Sequence, residues 1–233
     1  MADGMYVGMA AMTAREHELE AIADNMANAE TPGYKAEMYA FETFFPDDAD
    51  GNMASVAAVN AGLDHRTGVI RQTGRPLDVL PSDENFFAVE MKNGNVGYTR
   101  NAQMAIAPDG TLTIAGNPVL NDGGSPVITP LNLPVRISTD GTVWSGDNQL
   151  DRLGTHTLPG ELVRLSPSIV VPKDGVTERA NGRVRVGEVE LSNVSALEAS
   201  IDMIQTQRNF DHAVQAVQTY RKIDDRAIQV GKV

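Results

Sequence analysis

The sequence contains no cysteine in 233 residues. Disulfides, thiolate metal sites and a cysteine nucleophile are therefore excluded. Aromatic residues make up only 5%, too few to line the kind of cleft in which a glycosidase holds a sugar between two carboxylates. Positive charge is also scarce: 19 Lys and Arg stand against 31 Asp and Glu, a formal net charge of −12. That balance argues against an electrostatic footprint for nucleic acid and against attraction to an anionic membrane face. No apolar run is long enough to span a bilayer, so no membrane insertion is expected. The opening MADGMYVGMAAMTAREHELE has no basic region leading into an apolar one, so no cleaved secretory signal is visible. The four histidines, His17, His65, His156 and His212, are scattered, with no second His at metal-ligand spacing. GxSxG, Walker and GxGxxG motifs are missing. The acidic run Asp47-Asp48-Ala49-Asp50 fails as a calcium loop, because Pro46 stands where the first ligand belongs and no Glu occupies the twelfth position; it reads as a solvated loop. No enzyme, cofactor or metal is expected.

What is present is a globular composition, 42% hydrophobic and 21% charged. After Ser195 there is no Pro or Gly until Gly231, which predicts one long helix with Ser195 as N-cap and Glu198 completing a capping box. Leu197, Ile201 and Ile204 form one apolar stripe on it; Met203, Phe210, Val214 and Val217 form a second on roughly the opposite side. Two apolar sides require more than one protein neighbour, or a core position inside one domain. A second helix is predicted from Met5 to Asn28. Met5, Met12, Leu19 and Met26 recur every seven residues there, with Met9 and Ala23 between, a heptad seam whose natural mate is the carboxy-terminal helix. The same spacing also fits an amphipathic helix on a globular core. Thr31-Pro32-Gly33-Tyr34 ends it, with Gly33 supplying the positive φ of a type II turn.

Between the helices the signals become β. Asn93-Gly94, Asp109-Gly110 and Asp140-Gly141 each separate two strand-like runs and predict two-residue type I′ hairpins; Asn181-Gly182 precedes a fourth run. The expected fold class is α+β: paired, long, coiled-coil-like N- and C-terminal helices with a central, mostly antiparallel β domain. The expected divisions are an N-terminal helix over 1–34, an extended connection over 35–75, a β domain over 76–190 and a C-terminal helix over 191–233.

Several stretches resemble one family. Ala23-Asp24-Asn25-Met26-Ala27-Asn28-Ala29-Glu30-Thr31-Pro32-Gly33-Tyr34-Lys35 is similar to the amino-terminal signature of bacterial flagellar axial proteins, with Asp24 for the usual Asn and Met26 for Ile. Thr73 to Val79, Phe86 to Val89, Gly97 to Asn101 and Pro108 to Leu112 resemble its β domain, with Glu84-Asn85 a local departure. Leu191 to Val194 and Met203 to Phe210 resemble its carboxy-terminal signature. The motifs stand in family order, and the length fits a basal-body rod member, proximal in preference to distal. The resemblance implies a structural, non-enzymatic rod subunit. Its partners would be copies of itself, other rod proteins and the flagellar type III export apparatus, with no cofactor and no nucleic acid. It implies a place in the rod crossing the periplasm, reached without a cleaved signal peptide. The implied assembly interface comprises Met5, Met12, Leu19, Met26, Asn25, Asn28, Thr31, Gly33, Leu197, Ile201, Ile204, Phe210, Val214 and Val217, with Thr31 to Lys35 setting the exit from the helix. The competing reading is a non-flagellar binding module, a β domain on a helical stalk.

Overall fold

The Pro- and Gly-free run folds as α2, Ala196–Val230, 35 residues and so roughly 52 Å long. Its N-cap is Ser195, whose Oγ accepts from the Glu198 N–H at 3.3 Å. The first helix, α1, spans Ala2–Ala27. Past it, the Tyr34 N–H donates to the Thr31 carbonyl at 3.2 Å, and Gly33 sits at φ +72°, as a type II turn requires. The structure, a computed structural model, describes residues 2–44 and 55–230. The acidic run near Asp47 lies outside the described residues.

The chain forms two compact units. The first comprises Met1–Ala27, Glu37–Gly62 and Ser195–Val233; the second comprises Asn28–Ala36 and Leu63–Val194. The stretch 35–75 is thus divided between them. Its strands Glu37–Phe44 and Ser55–Leu63 pair with each other.

The class is α+β, but the expectation of paired, long, coiled-coil-like N- and C-terminal helices is corrected. Among the described residues α1 and α2 are the two helices, of unequal length, 26 and 35 residues, and the rest of the regular structure is short strands. The methionine heptad is not the buried line. Met9 and Met26 are 45% and 37% exposed, whereas Ala14 and Ala21 are 3% exposed. The reason is steric. At Gly8 an added Cβ would lie 2.6 Å from Val217 Cγ2. Backbones this close leave no room for long methionine knobs in facing holes.

The second unit is built on a six-stranded antiparallel sheet. Its strands run in the order Leu162–Ser166, Ile169–Pro172, Val96–Thr99, Phe86–Glu90, Thr155–Thr157, Glu178–Arg179. Two three-stranded sheets, around Leu112–Ile114 and Thr142–Ser145, add to it. Phe87, Val89, Leu112, Val119, Val127, Val143 and Leu153 are wholly buried in the main core.

The three expected hairpins form, but not with type I′ turns. Only the glycines are left-handed: Gly94 at φ +78°, Gly110 at +87° and Gly141 at +81°. The Asx residue instead hydrogen-bonds through its own Oδ1 to the N–H two residues on: Asn93 to Asn95 at 3.0 Å, Asp109 to Thr111 at 2.9 Å, Asp140 to Thr142 at 3.1 Å. That side-chain bond favours a three-residue loop ending in a left-handed glycine. A two-residue turn with both central φ positive does occur, at Ala115-Gly116 (φ +49° and +77°). It joins Leu112–Ile114 to Asn117–Pro118.

Candidate assembly surface

In the first unit α2 shows two faces of different character. Leu197, Ile201 and Ile204 are 73%, 47% and 54% exposed. On the opposite side Ala199, Thr206 and Val217 are buried, with Met203, Phe210 and Val214 half-buried. Val217, expected at the interface, is taken up by Gly8 of its own chain. On α1, Met5, Met12 and Leu19 are half-buried and Met26 is exposed. Asn25 faces the first strand of the unit: its Nδ2 donates to the Glu37 carbonyl at 3.0 Å and its Oδ1 accepts from the Glu37 N–H at 2.8 Å. Beside this pair lies a groove of about 290 Å³, walled by Glu18, Ile22, Glu37, Tyr39, Asp202, Gln205, Thr206 and Asn209 among others. The Tyr39 phenol is pushed above its ordinary value by burial, then by the charges of Glu37, Glu20 and Asp24.

The second unit holds the other expected residues in a clamp. Asn28 Oδ1 accepts from Thr31 Oγ1 at 3.1 Å, and the buried Gly33 donates its N–H to the Glu190 carbonyl at 2.9 Å. The neighbouring Lys35 is 4% exposed, and its Nζ donates to Glu190 Oε1 at 2.7 Å and to the Arg66 carbonyl at 2.8 Å. Arg100 Nε donates to Glu190 Oε2 at 2.7 Å, while its Nη1 reaches the carbonyls of Asp83 and Asn85. Glu190 itself is wholly buried. Burial alone would raise its carboxyl; the Arg100 charge and the Lys35 hydrogen bond hold it below the ordinary carboxylate range instead. Burial draws Lys35 down, against the pull of Glu190. Around this core Asn193 ties three chain segments together. Its Oδ1 accepts from the Ala36 N–H at 2.7 Å, and its Nδ2 donates to the carbonyls of Asp64 at 2.9 Å and Arg66 at 3.2 Å. The Arg164 guanidinium stacks 4.0 Å above the Tyr34 ring and donates to the Lys35 carbonyl.

The structure therefore separates the expected residues into two groups. The apolar ones lie on the helices of the first unit, and Asn28, Thr31 and Gly33 lie in the clamp of the second. Sequence reasoning missed Glu190 and the role of Arg100. The available signal was slight: Arg100 directly follows the strand Val96–Thr99 and Glu190 ends the strand Glu188–Glu190, and a charge drawn into a core is tolerated only with a partner.

Two family models match the sequence, one described as flagella basal body rod protein over residues 5–35. The other, flagellar basal body rod FlgEFG protein C-terminal, matches residues 185–230. The first ends on Lys35 and the second contains Glu190 and Asn193, while Arg100 falls between them. The flagellar basal-body rod protein FlgF of Mesorhizobium japonicum is 31% identical over 98% of this chain and 98% of its own. The FlgF protein of Escherichia coli is 32% identical over 97% and 96%. By contrast, the rod protein FlgG of Buchnera aphidicola subsp. Schizaphis graminum is 25% identical over 94% and 96%. With such identity sustained along almost the whole length, the chain belongs to the flagellar basal-body rod protein family.

Proposed function

We propose that the chain is a structural subunit of the rod of the bacterial flagellar basal body, acting by assembly rather than by catalysis. Its near-full-length likeness to the FlgF rod proteins carries this reading. In it, the subunit is exported by the flagellum's own type III apparatus with no signal peptide removed. It joins copies of itself and other rod proteins in the proximal rod, which crosses the periplasm as a drive shaft.

The exposed stripe of Leu197, Ile201 and Ile204 supports the reading physically. Burying each such side chain contributes about 1.5–3 kcal/mol, and a contact repeated head to tail without closing produces a helical filament. Met26, exposed on α1, adds to this surface, while Leu19, Phe210 and Val217 support it from the buried side of the helices.

The test is Ile204→Asp, a change at an exposed position. The variant should fold as the parent does while incorporation into basal bodies and swimming are lost. Normal swimming with this variant would overturn the reading.

A further inference from the structure

The groove in the first unit is acidic. Glu18, Glu37 and Asp202 stand on its walls with Tyr39; Arg15 holds Glu18 at 2.6 Å, and Asp202 is exposed. No three of the acidic or histidine side chains among the described residues are placed to hold a metal ion. Thr206 lines the same groove at 4% exposure. Elsewhere on α2, Ser200 and Thr219 turn their hydroxyls back onto the carbonyls of Ala196 at 2.7 Å and Gln215 at 2.8 Å, the usual resort of a helical hydroxyl. Thr206 makes no such bond among the described residues, and its hydroxyl is left for whatever enters. Carboxylates and a spare hydroxyl are acceptors, and the side chains that bring charge and several donors together are lysine and arginine.

The chain carries few such side chains to spare, with 19 Lys and Arg in all. Continuing the line of Leu197, Ile201 and Ile204 along α2 at helical spacing leads to Arg208, Lys222 and Arg226, with Asp211 as its one acid. All three cations are exposed, and none forms a salt bridge among the described residues. The outward stripe is thus apolar at its start and cationic at its end. Asp202 and Lys222 stand on one helix, roughly 30 Å apart along its axis. No copy can place its own Lys222 in its own groove.

We infer that the acidic groove beside Asp202 and Thr206 receives the basic end of α2, Lys222 and Arg226, from a second copy of this chain. The inference rests on the rod reading and specifies one contact within it. Within the rod reading donor and acceptor meet head to tail, each copy giving its basic end to the next copy's groove, and such a contact propagates into a filament when its rotation does not close.

Charge reversal tests it. Asp202→Arg alone, or Lys222→Glu together with Arg226→Glu, should lower incorporation into basal bodies at least tenfold, and the triple variant should restore it. Failure of the triple variant to recover incorporation would overturn the contact. A second measurement uses the absence of cysteine. A chain bearing Gln205→Cys at the groove and Ile223→Cys beside the basic pair can form no internal disulfide across that separation. A short thiol-to-thiol cross-linker should join neighbouring copies into a ladder of chains in isolated basal bodies. Normally assembled basal bodies without that ladder would also overturn the contact. If swimming is still abolished by Ile204→Asp in that case, the rod reading stands without it.

Discussion

Glu190 is a fully buried carboxylate with two cations on it, and its substitution shows most sharply what a single residue does here. Glu190→Gln leaves Lys35 and Arg100 buried without a counter-charge, which typically costs about 3–5 kcal/mol. The only tryptophan, Trp144, lies in the second unit, so its fluorescence during urea unfolding measures that loss. An unchanged midpoint would show that the clamp contributes nothing. The same residue predicts a pH dependence. The carboxyls of Glu190, Asp78 and Asp64 are held below their ordinary values of 4.5 and 3.8. At Glu190 and Asp78 burial opposes this and their cationic partners overcome it; at Asp64 the Arg66 hydrogen bond is the main cause. A depressed folded value means that the stabilisation is complete above the ordinary value and is lost as pH falls through the folded one. Tryptophan-monitored stability should therefore decline in two stages as pH falls: first below about 6.5, where burial keeps the His156 imidazole neutral in the folded chain while the unfolded chain takes up a proton, and again below about pH 4, where the decline should be shallower in Glu190→Gln.

At the level of elements, turns decide more than propensities. Gly33 is needed twice over: its φ is +72°, and an added Cβ would lie 2.4 Å from the Asn101 backbone nitrogen. Gly33→Ala should cost about 2 kcal/mol or more. Gly74→Ala, at φ +71° but with nothing within 4 Å, should cost about 1–2 kcal/mol. Thermal unfolding of the two variants side by side checks the difference. The existence of both helices, the Ser195 cap, the glycine of the first turn and the places of three hairpins were legible because each rests on a local signal. The hairpin geometry was not, because an Asx side chain can either take a left-handed φ or bond to its own backbone, and the sequence Asn-Gly permits both. The α1 seam was misread for a related reason. Heptad spacing identifies a face, but whether methionine or alanine faces a partner depends on how closely the backbones approach, and Gly8 and Ala14 set that distance. The clamp was invisible as a site because Lys35, Arg100 and Glu190 come from three separated stretches that only folding gathers.

For the whole molecule the two units differ in what holds them. The second has extensive clusters of buried apolar side chains. On the helices of the first, the buried side chains among the described residues are Ala14, Ala21, Ala199, Thr206 and Val217, mostly small groups that remove little apolar surface from water. In the isolated chain, amide hydrogens of α1 and α2 should exchange much faster than those of the strand Phe86–Glu90. Equal protection in both would favour the helical-stalk binding module instead. The chain passes between the units at Ala27–Asn28, Ala36–Glu37, Gly62–Leu63 and Val194–Ser195, and both of its ends lie in the first. Each unit is thus gathered from separated stretches of chain, and α1 and α2 can come loose while the six-stranded sheet keeps its register.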